Sequence, residues 1–262
     1  MNRRQFVSAV AAGAAATMMS KTQIANAADK AGGKEETKIK AIAFDAFPIF
    51  DPRPVFALAT KLFPDKGVEL GKVWRTRQFE YTWLRVAGHR YRDFWQVTED
   101  ALVFAAKSLK LKLTTGQRQQ LMQAYLHLEA WPDVTPALEQ LKNAGIRLAF
   151  LSNMTPAMLQ AGVNNSKLNG VFDFILSTDS AKTYKPDPRA YQLGPEAFKL
   201  KKEQIVFTAF AGWDAAGAKW FGYPTFWLNR LTFPPEQLYA VADANGSHME
   251  DLVRYVKTLN TS

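Results

Sequence analysis

From residue 132 onward, short apolar runs alternate with segments in which apolar residues recur every three or four positions. The runs are typical of buried strands, and the spaced segments are typical of amphipathic helices. This alternation predicts parallel strands joined by crossover helices. Thr135 and Pro136 predict the N-cap and first residue of one helix, and Gly145 its C′ residue. We expect strands at 146–151, 172–177, 205–210 and 225–228, and helices beginning near 135, 155, 187, 214 and 248.

The region before residue 132 shows one strand pattern followed by helical patterns. The apolar run at 38–44 predicts a first strand. Residues 66–130 show no further strand pattern, which predicts an all-helical insert after that strand. Thr114 and Gln117 have the spacing of a capping box, which marks a helix start. The helices of the insert are expected at 66–88, 93–110 and 114–129.

The N-terminal segment has the features of an export signal. A twin arginine, Arg3-Arg4, precedes an apolar stretch of small residues, and residues 25–27 (ANA) form a cleavage motif. The stretch is too short and too rich in Ala for a good membrane anchor, the alternative interpretation. We predict a twin-arginine signal peptide at 1–27, a flexible polar leader at 28–39, and a periplasmic protein without membrane attachment after cleavage.

The composition excludes several kinds of site. The chain has no Cys among its 262 residues, which excludes disulfides, thiolate catalysis and thiolate metal ligands. His89, His127 and His248 lack the spacing of a zinc-binding helix. The formal net charge is +9, but the basic residues are scattered, so we expect no nucleic-acid partner. A mild positive field suits an anionic small-molecule substrate.

Polar side chains follow several of the predicted strands. Asp45 ends the first apolar run within AIAFDAFPIFD, and Ser152 and Asn153 end the second run. Asp214 follows the strand at 205–210, and Lys185 lies in the loop YKPD. Parallel sheets bind ligands beyond the carboxyl ends of their strands, so these residues are expected to form one site. Taken singly, each also fits a structural role such as a cap, a turn or a surface loop.

These motifs, in this order, resemble those of the haloacid dehalogenase (HAD) superfamily. The matching segments are AFDAF, FLSN, YKPD and AFAGWDAAGA. Within the superfamily, WRTRQFEYTWLR (74–85), YKPDPRAY (184–191) and WDAAGAKWFGYPTFWLNR (213–230) are similar to the L-2-haloacid dehalogenases. The resemblance extends over essentially all of 40–230. It implies an α/β fold with an HAD-like doubly wound parallel sheet (40–55 and 132–262) and an inserted all-helical cap (56–131).

The same resemblance implies an activity and its catalytic residues. The expected reaction is metal-independent hydrolysis of (S)-2-haloacids to (R)-2-hydroxyacids and halide, without a cofactor. Asp45 would be the nucleophile, displacing halide and forming an ester that water then hydrolyses. Lys185 would pair with Asp45. Asp214 would position or activate the water.

The resemblance also implies residues that bind the substrate and halide. Arg75 would accept the departing halide by charge-assisted hydrogen bonds, with Asn153 as second contact. Ser152 would bind the substrate carboxylate together with backbone amides at the following helix. The other expected site residues are Phe94 and Phe47 as apolar lining, Tyr191 as a hydroxyl supporting Lys185, and Trp213 as a pocket residue.

Several positions depart from the family patterns. Phe47 and Phe210 stand where HAD phosphatases carry carboxylates that bind magnesium or protonate the leaving group. A metal-dependent phosphatase is therefore disfavoured. Polar helpers and a glycine of the dehalogenases are also replaced, and we expect this to slow ester hydrolysis more than halide displacement. The replacing residues are Pro48, Ile49, Ala209 and Ala211.

Two alternative functions stay open at this point. One is another HAD-type hydrolase of a small anionic substrate, such as a phosphatase. The other is a periplasmic binder of small acids that does not turn them over.

The resemblance further implies a homodimer. Three aromatic residues of the cap offer an interface, namely Trp83, Trp95 and Tyr125. Burial in the core of the cap explains the same rings equally well.

Overall fold

The computed structural model describes residues 38–261. The predicted signal peptide and nearly all of the predicted leader therefore lie outside the described residues. Six strands form one parallel sheet in the order β3-β2-β1-β4-β5-β6. They are β1 (Ala41–Phe44), β2 (Arg147–Ser152), β3 (Phe174–Ser177), β4 (Ile205–Ala209), β5 (Thr225–Leu228) and β6 (Ala244–Gly246).

Helices cover both faces of the sheet and form the insert between β1 and β2. Their bounds are α1 (Ala46–Ile49), α2 (Arg53–Leu62), α3 (Gly67–Ala87), α4 (Phe94–Ser108), α5 (Thr115–Ala124), α6 (Val134–Asn143), α7 (Pro156–Asn165), α8 (Pro188–Phe198), α9 (Gly212–Phe221) and α10 (Met249–Thr261). Two short 3-10 helices span Thr178–Ala181 and Lys202–Gln204.

The central strand β1 reads as a continuous apolar run because both of its faces are buried. Ile42 and Phe44 point into the larger core, which also contains the cap, whereas Ala41 and Ala43 point into the core on the other face. A strand covered on both sides has no polar face, so its sequence does not alternate. The run therefore identifies β1 as the centre of the sheet.

The predicted doubly wound sheet with a helical insert is confirmed. Thr114 caps α5 with a complete capping box, and Gly145 follows α6 with a positive φ of 76°. The prediction missed α1, α2 and β6 and extended the third cap helix to residue 129, whereas α5 ends at Ala124. The boundaries of the cap at 56–131 stay a prediction.

The predicted start of α6 at Thr135 was wrong. The helix begins at Val134, and Asp133 is its N-cap residue without a side-chain cap bond. The Asp133 carboxylate instead accepts two hydrogen bonds from Arg230, at 2.8 and 3.0 Å. Pro136 is tolerated because backbone N–H groups in the first turn have no intrahelical partner.

The register of the sheet places the strand ends that carry polar residues next to one another. Phe44 of β1 pairs with Phe150 of β2 and with Thr208 of β4. The backbone N–H of Asp45 then donates to the Thr208 carbonyl at 3.0 Å. The loops that follow β1, β2 and β4 consequently meet at one edge of the sheet.

Side-chain hydrogen bonds fasten the insert over this edge. The Tyr91 hydroxyl, between α3 and α4, donates to Oδ1 of Asp179 at 2.7 Å, and the Tyr184 hydroxyl donates to the Arg92 carbonyl.

Among residues 38–261, no helix combines the length and the apolar character needed to cross a membrane.

Candidate active site

Asp45 lies where β1 ends and α1 begins, and its two carboxylate oxygens are in different environments. Oδ1 accepts hydrogen bonds from Nζ of Lys185 at 2.8 Å and from the Ser152 hydroxyl at 3.1 Å. Oδ2 accepts a long 3.5 Å contact from the backbone N–H of Phe47. The carboxylate is 13% exposed and lines a pocket. Strong donors thus hold Oδ1, while Oδ2 is nearly free.

The ammonium group of Lys185 joins two carboxylates beneath the pocket. Its Nζ lies 2.8 Å from Oδ1 of Asp45 and 2.5 Å from Oδ2 of Asp214, and its side chain is 1% exposed. Burial lowers the pKa of Lys185, but the charges of Asp214 and Asp45 more than offset this, so the pKa lies above its ordinary value. Lys185 is therefore a buried cation that orients both carboxylates.

Asp214, in the first turn of α9, is buried behind Lys185. Its Oδ2 accepts from Lys185, and its Oδ1 accepts from the Tyr191 hydroxyl at 2.7 Å. Burial raises the pKa of Asp214 to about 6, against the opposing charge of Lys185. Burial and Asp214 also raise the pKa of Tyr191 well above its ordinary value. The Tyr191 hydroxyl therefore remains a hydrogen-bond donor.

Ser152 and Asn153 follow β2, the neighbour of β1. The Ser152 hydroxyl donates to Asp45 and accepts from the backbone N–H of Met154 at 3.3 Å. Oδ1 of Asn153 accepts from the backbone N–H of Lys185 at 3.0 Å, which fixes the orientation of the amide. Within the described range 38–261, no hydrogen-bond partner engages Nδ2 of Asn153. Asn153 therefore contributes a free N–H donor to the wall of the pocket.

The pocket next to Asp45 lies between the sheet edge and the insert. It is partly open to solvent, and its wall is mainly apolar, with five aromatic side chains among eleven lining residues. The rings of Phe47 and Phe210 meet edge to face with centroids 5.8 Å apart. The residues expected from the sequence that line it are Asp45, Phe47, Arg75, Phe94, Ser152, Asn153 and Trp213.

Arg75 of α3 brings a positive charge to the aromatic wall. Its Cζ lies 4.8 Å from the ring centroid of Phe79 and 5.3 Å from that of Phe47. Nη1 is buried and has no hydrogen-bond partner in the part of the chain that the structure describes. Burial lowers the pKa of Arg75 below its ordinary value. Because a buried donor without a partner is costly, the guanidinium is suited to an anionic ligand.

Three of the expected site residues do not line the pocket. Lys185, Asp214 and Tyr191 form a hydrogen-bonded chain behind Asp45 and contact the pocket through it. No group of three or more His, Asp or Glu side chains in residues 38–261 is arranged to hold a metal ion.

Four further residues line the pocket: Phe79, Met154, Phe210 and Ala211. Sequence reasoning missed Phe79 and Met154, whereas it named Phe210 and Ala211 as positions that depart from the family patterns. Phe79 lies one helical turn after Arg75, so the i, i+4 spacing on α3 contained the signal. Phe210 and Ala211 follow β4, and their place beside Asp45 depends on the pairing of β4 with β1. For Met154 the sequence carries no such signal.

Known proteins share the sequence of this chain over most of its length. A family profile described as haloacid dehalogenase-like hydrolase matches residues 5–222. An (S)-2-haloacid dehalogenase of Pseudomonas sp. (strain YL) is 39% identical over 221 residues, which covers 84% of this chain and 95% of the relative.

Solved structures share its fold. The crystal structure of an L-2-haloacid dehalogenase matches with a TM-score of 0.82 and 43% identity, covering 84% of this chain and 100% of that one. An L-2-haloacid dehalogenase from Xanthobacter autotrophicus with chloropropionic acid covalently bound matches with a TM-score of 0.75 and 32% identity, covering 84% of this chain and 98% of the other.

Proposed function

The chain belongs to the haloacid dehalogenase-like hydrolases, and from this premise we propose that it hydrolyses (S)-2-haloacids to (R)-2-hydroxyacids and halide. The asymmetry of the Asp45 carboxylate is the observation that carries the proposal. Donors occupy Oδ1 and leave Oδ2 nearly free, and Asp45 lines a pocket together with Arg75, whose Nη1 has no hydrogen-bond partner in residues 38–261. A nucleophile and an anion acceptor thus share one aromatic pocket.

In the first step, Oδ2 of Asp45 attacks the carbon that bears the halogen. A C–O bond forms, the carbon–halogen bond breaks, and the halide leaves with the bonding electron pair. Attack from behind inverts the carbon centre. Arg75 and Nδ2 of Asn153 donate to the departing halide. The apolar rings around Asp45 keep the carboxylate poorly hydrated, which favours nucleophilic attack.

In the second step, water attacks Cγ of Asp45 and opens the ester. Negative charge then develops on Oδ1, where Lys185 and Ser152 already donate. Donors placed in advance at a developing oxyanion stabilise the transition state. The ester oxygen leaves with the hydroxyacid, and the net reaction converts haloacid and water to hydroxyacid, halide and one proton. The carbon centre is inverted once overall.

The carboxylate of the substrate needs its own binding group. We propose that it lies at the end of β2, where Ser152 and backbone N–H groups precede α7. Arg75 adds a positive charge to the same pocket. An α-halogenated acid, with its anionic and leaving groups on adjacent carbons, suits two such donors a short distance apart.

We further propose that catalysis needs no metal ion. The rings of Phe47 and Phe210 stand beside Asp45 and offer no oxygen ligand, whereas magnesium requires several hard oxygen ligands. Lys185 instead supplies the cation that bridges Asp45 and Asp214. A phosphatase, the alternative hydrolase, is disfavoured for the same reason.

The test is halide release from each enantiomer of 2-chloropropionate, with and without a chelator. We expect release from the (S)-enantiomer, formation of (R)-lactate, and no effect of the chelator. Asp45→Asn should abolish release, because an amide is a poor nucleophile. Asp51→Asn, just beyond α1 and outside the pocket, is the matched control. Halide release by Asp45→Asn at the native rate would refute the assignment, and a binder without turnover would release none from either enantiomer.

Location and assembly stay proposals. We propose twin-arginine export to the periplasm. The test is fractionation of cells that express an Arg3→Lys, Arg4→Lys double variant, in which the periplasmic form should be lost.

We also propose a homodimer, testable by sedimentation. Trp83 is 39% exposed and suits an interface, whereas Tyr125 is buried in the cap.

A further inference from the structure

The pocket contains few groups able to accept a proton from the water of the second step. Arg75 offers donors alone. The Ser152 hydroxyl donates to Asp45, and its oxygen accepts from the backbone N–H of Met154, which leaves one lone pair on a weakly basic hydroxyl. Oδ1 of Asn153 accepts from Lys185 and from the Thr178 hydroxyl. Once Asp45 is esterified, the polar side chains that line the pocket in residues 38–261 include no carboxylate or imidazole that could take up the proton.

Asp214 is the nearest other carboxylate, and its oxygens are engaged. Oδ2 is held by Lys185 at 2.5 Å and Oδ1 by Tyr191 at 2.7 Å. The side chain is 2% exposed and does not belong to the pocket wall. A general base must reach the proton directly or through one water. Asp214 therefore acts on the site through Lys185, as a positioning residue.

The residues that follow β4 also line the pocket and supply no proton acceptor either. They are Phe210 and Ala211, and Ala211 is also the N-cap of α9, with no side-chain cap bond. Ser, Thr, Asp and Asn are strongly preferred at N-caps because their oxygens accept from the first turn. The chain thus lacks an oxygen at a position where both the helix and a water in the pocket would use one.

We propose that the ester on Asp45 is long-lived in this protein and that its hydrolysis, rather than halide displacement, limits turnover. The inference rests on the proposed function. In the limiting step, water adds to Cγ, the bond from Cγ to the ester oxygen breaks, and the released proton passes to solvent without a side-chain base in the pocket. General bases accelerate such steps by about 10²–10⁴-fold, so their absence makes the second step slow.

The first test mixes excess (S)-2-chloropropionate rapidly with the purified protein and follows halide over time. We expect a burst of about one halide per active site followed by a much slower steady rate. Intact mass spectrometry during steady state should find most of the protein carrying the substrate acid as an adduct on Asp45. Steady turnover without burst or adduct would overturn the inference but leave the proposed function standing. No halide release at all would overturn both.

The second test is the variant Ala211→Asn. Its amide oxygen has two lone pairs, one for the first turn of α9 and one for a water. We expect roughly tenfold faster steady turnover with a smaller adduct fraction, since oriented water approaches the effect of a base, and a higher Tm. The control is Lys66→Asn at the exposed N-cap of α3, which also lacks a side-chain cap bond and lies outside the pocket. It should leave the steady rate unchanged. An unchanged rate in Ala211→Asn would refute the missing acceptor as the cause.

Discussion

Lys185 donates a 2.8 Å hydrogen bond to Oδ1 of Asp45 and thereby makes the two carboxylate oxygens unequal. Oδ2 retains a 3.5 Å contact with a backbone N–H. The inequality assigns each oxygen a part in the proposed reaction. Oδ2 forms the bond to carbon, and Oδ1 becomes the carbonyl oxygen of the ester, already in contact with its donors.

Replacement of Lys185 should cost both activity and stability. Lys185→Met leaves Asp45 and Asp214 without their shared cation in a buried site. We expect a loss of about 3 kcal/mol in the free energy of unfolding at pH 7, because removing one partner leaves uncompensated buried charge. Denaturant titration measures this loss. Lys182→Met, which removes an exposed pair with Asp179, is the control and should change stability by less than about 0.5 kcal/mol.

Replacement of Arg75 should separate activity from stability. Arg75→Met removes a buried Nη1 that has no partner in residues 38–261. We expect the halide burst to slow by about 10²–10³-fold, because the leaving group loses its donor. The free energy of unfolding should rise by about 1 kcal/mol as the cost of the unpaired group disappears. Arg90→Met, at an exposed position, should change neither quantity. A destabilised Arg75→Met variant would contradict this view of Arg75.

The dependence of kcat on pH should follow the ionisation of Asp214. Its pKa is raised to about 6, so the carboxyl is neutral below that pH and charged above it. Protonation removes the charge that holds Lys185 in place, and kcat should therefore fall as the pH drops through about 6. Asp214→Asn, which cannot ionise, should have lower kcat and lack this acid limb. An acid limb that persists unchanged in Asp214→Asn would assign the titration to another group.

The sequence predicted the fold best for the strands that are buried on both faces of the sheet. β1, β2, β4 and β5 are continuous apolar runs because helices cover both of their faces. β6 was missed because its sequence, Ala-Asn-Gly, is polar and half-exposed at the edge of the sheet. The start of α6 was mispredicted because Asp133 binds Arg230, nearly a hundred residues away, which no local rule contains.

The sequence predicted those residues of the candidate site that directly follow strands of the sheet. Asp45, Ser152 and Asn153 directly follow strands that pair in the sheet, so their proximity follows from topology. Asp214 was named for the same reason, as a residue that follows a predicted strand, and Lys185 for its place in the loop YKPD, whereas their roles came from motif resemblance. Which oxygen of Asp45 is engaged, and that Asp214 lies behind Lys185 rather than in the pocket, depend on tertiary geometry that a sequence pattern does not encode.

The ester on Asp45 is the central claim, and isotope labelling tests it most directly. The measurement is a single turnover with excess protein over (S)-2-chloropropionate in water enriched in oxygen-18. Attack of water at Cγ leaves the original Oδ2 in the product, so the account predicts unlabelled lactate and oxygen-18 in the peptide that contains Asp45. Labelled lactate with an unlabelled Asp45 peptide would show that water displaces the halide directly, and would contradict the account.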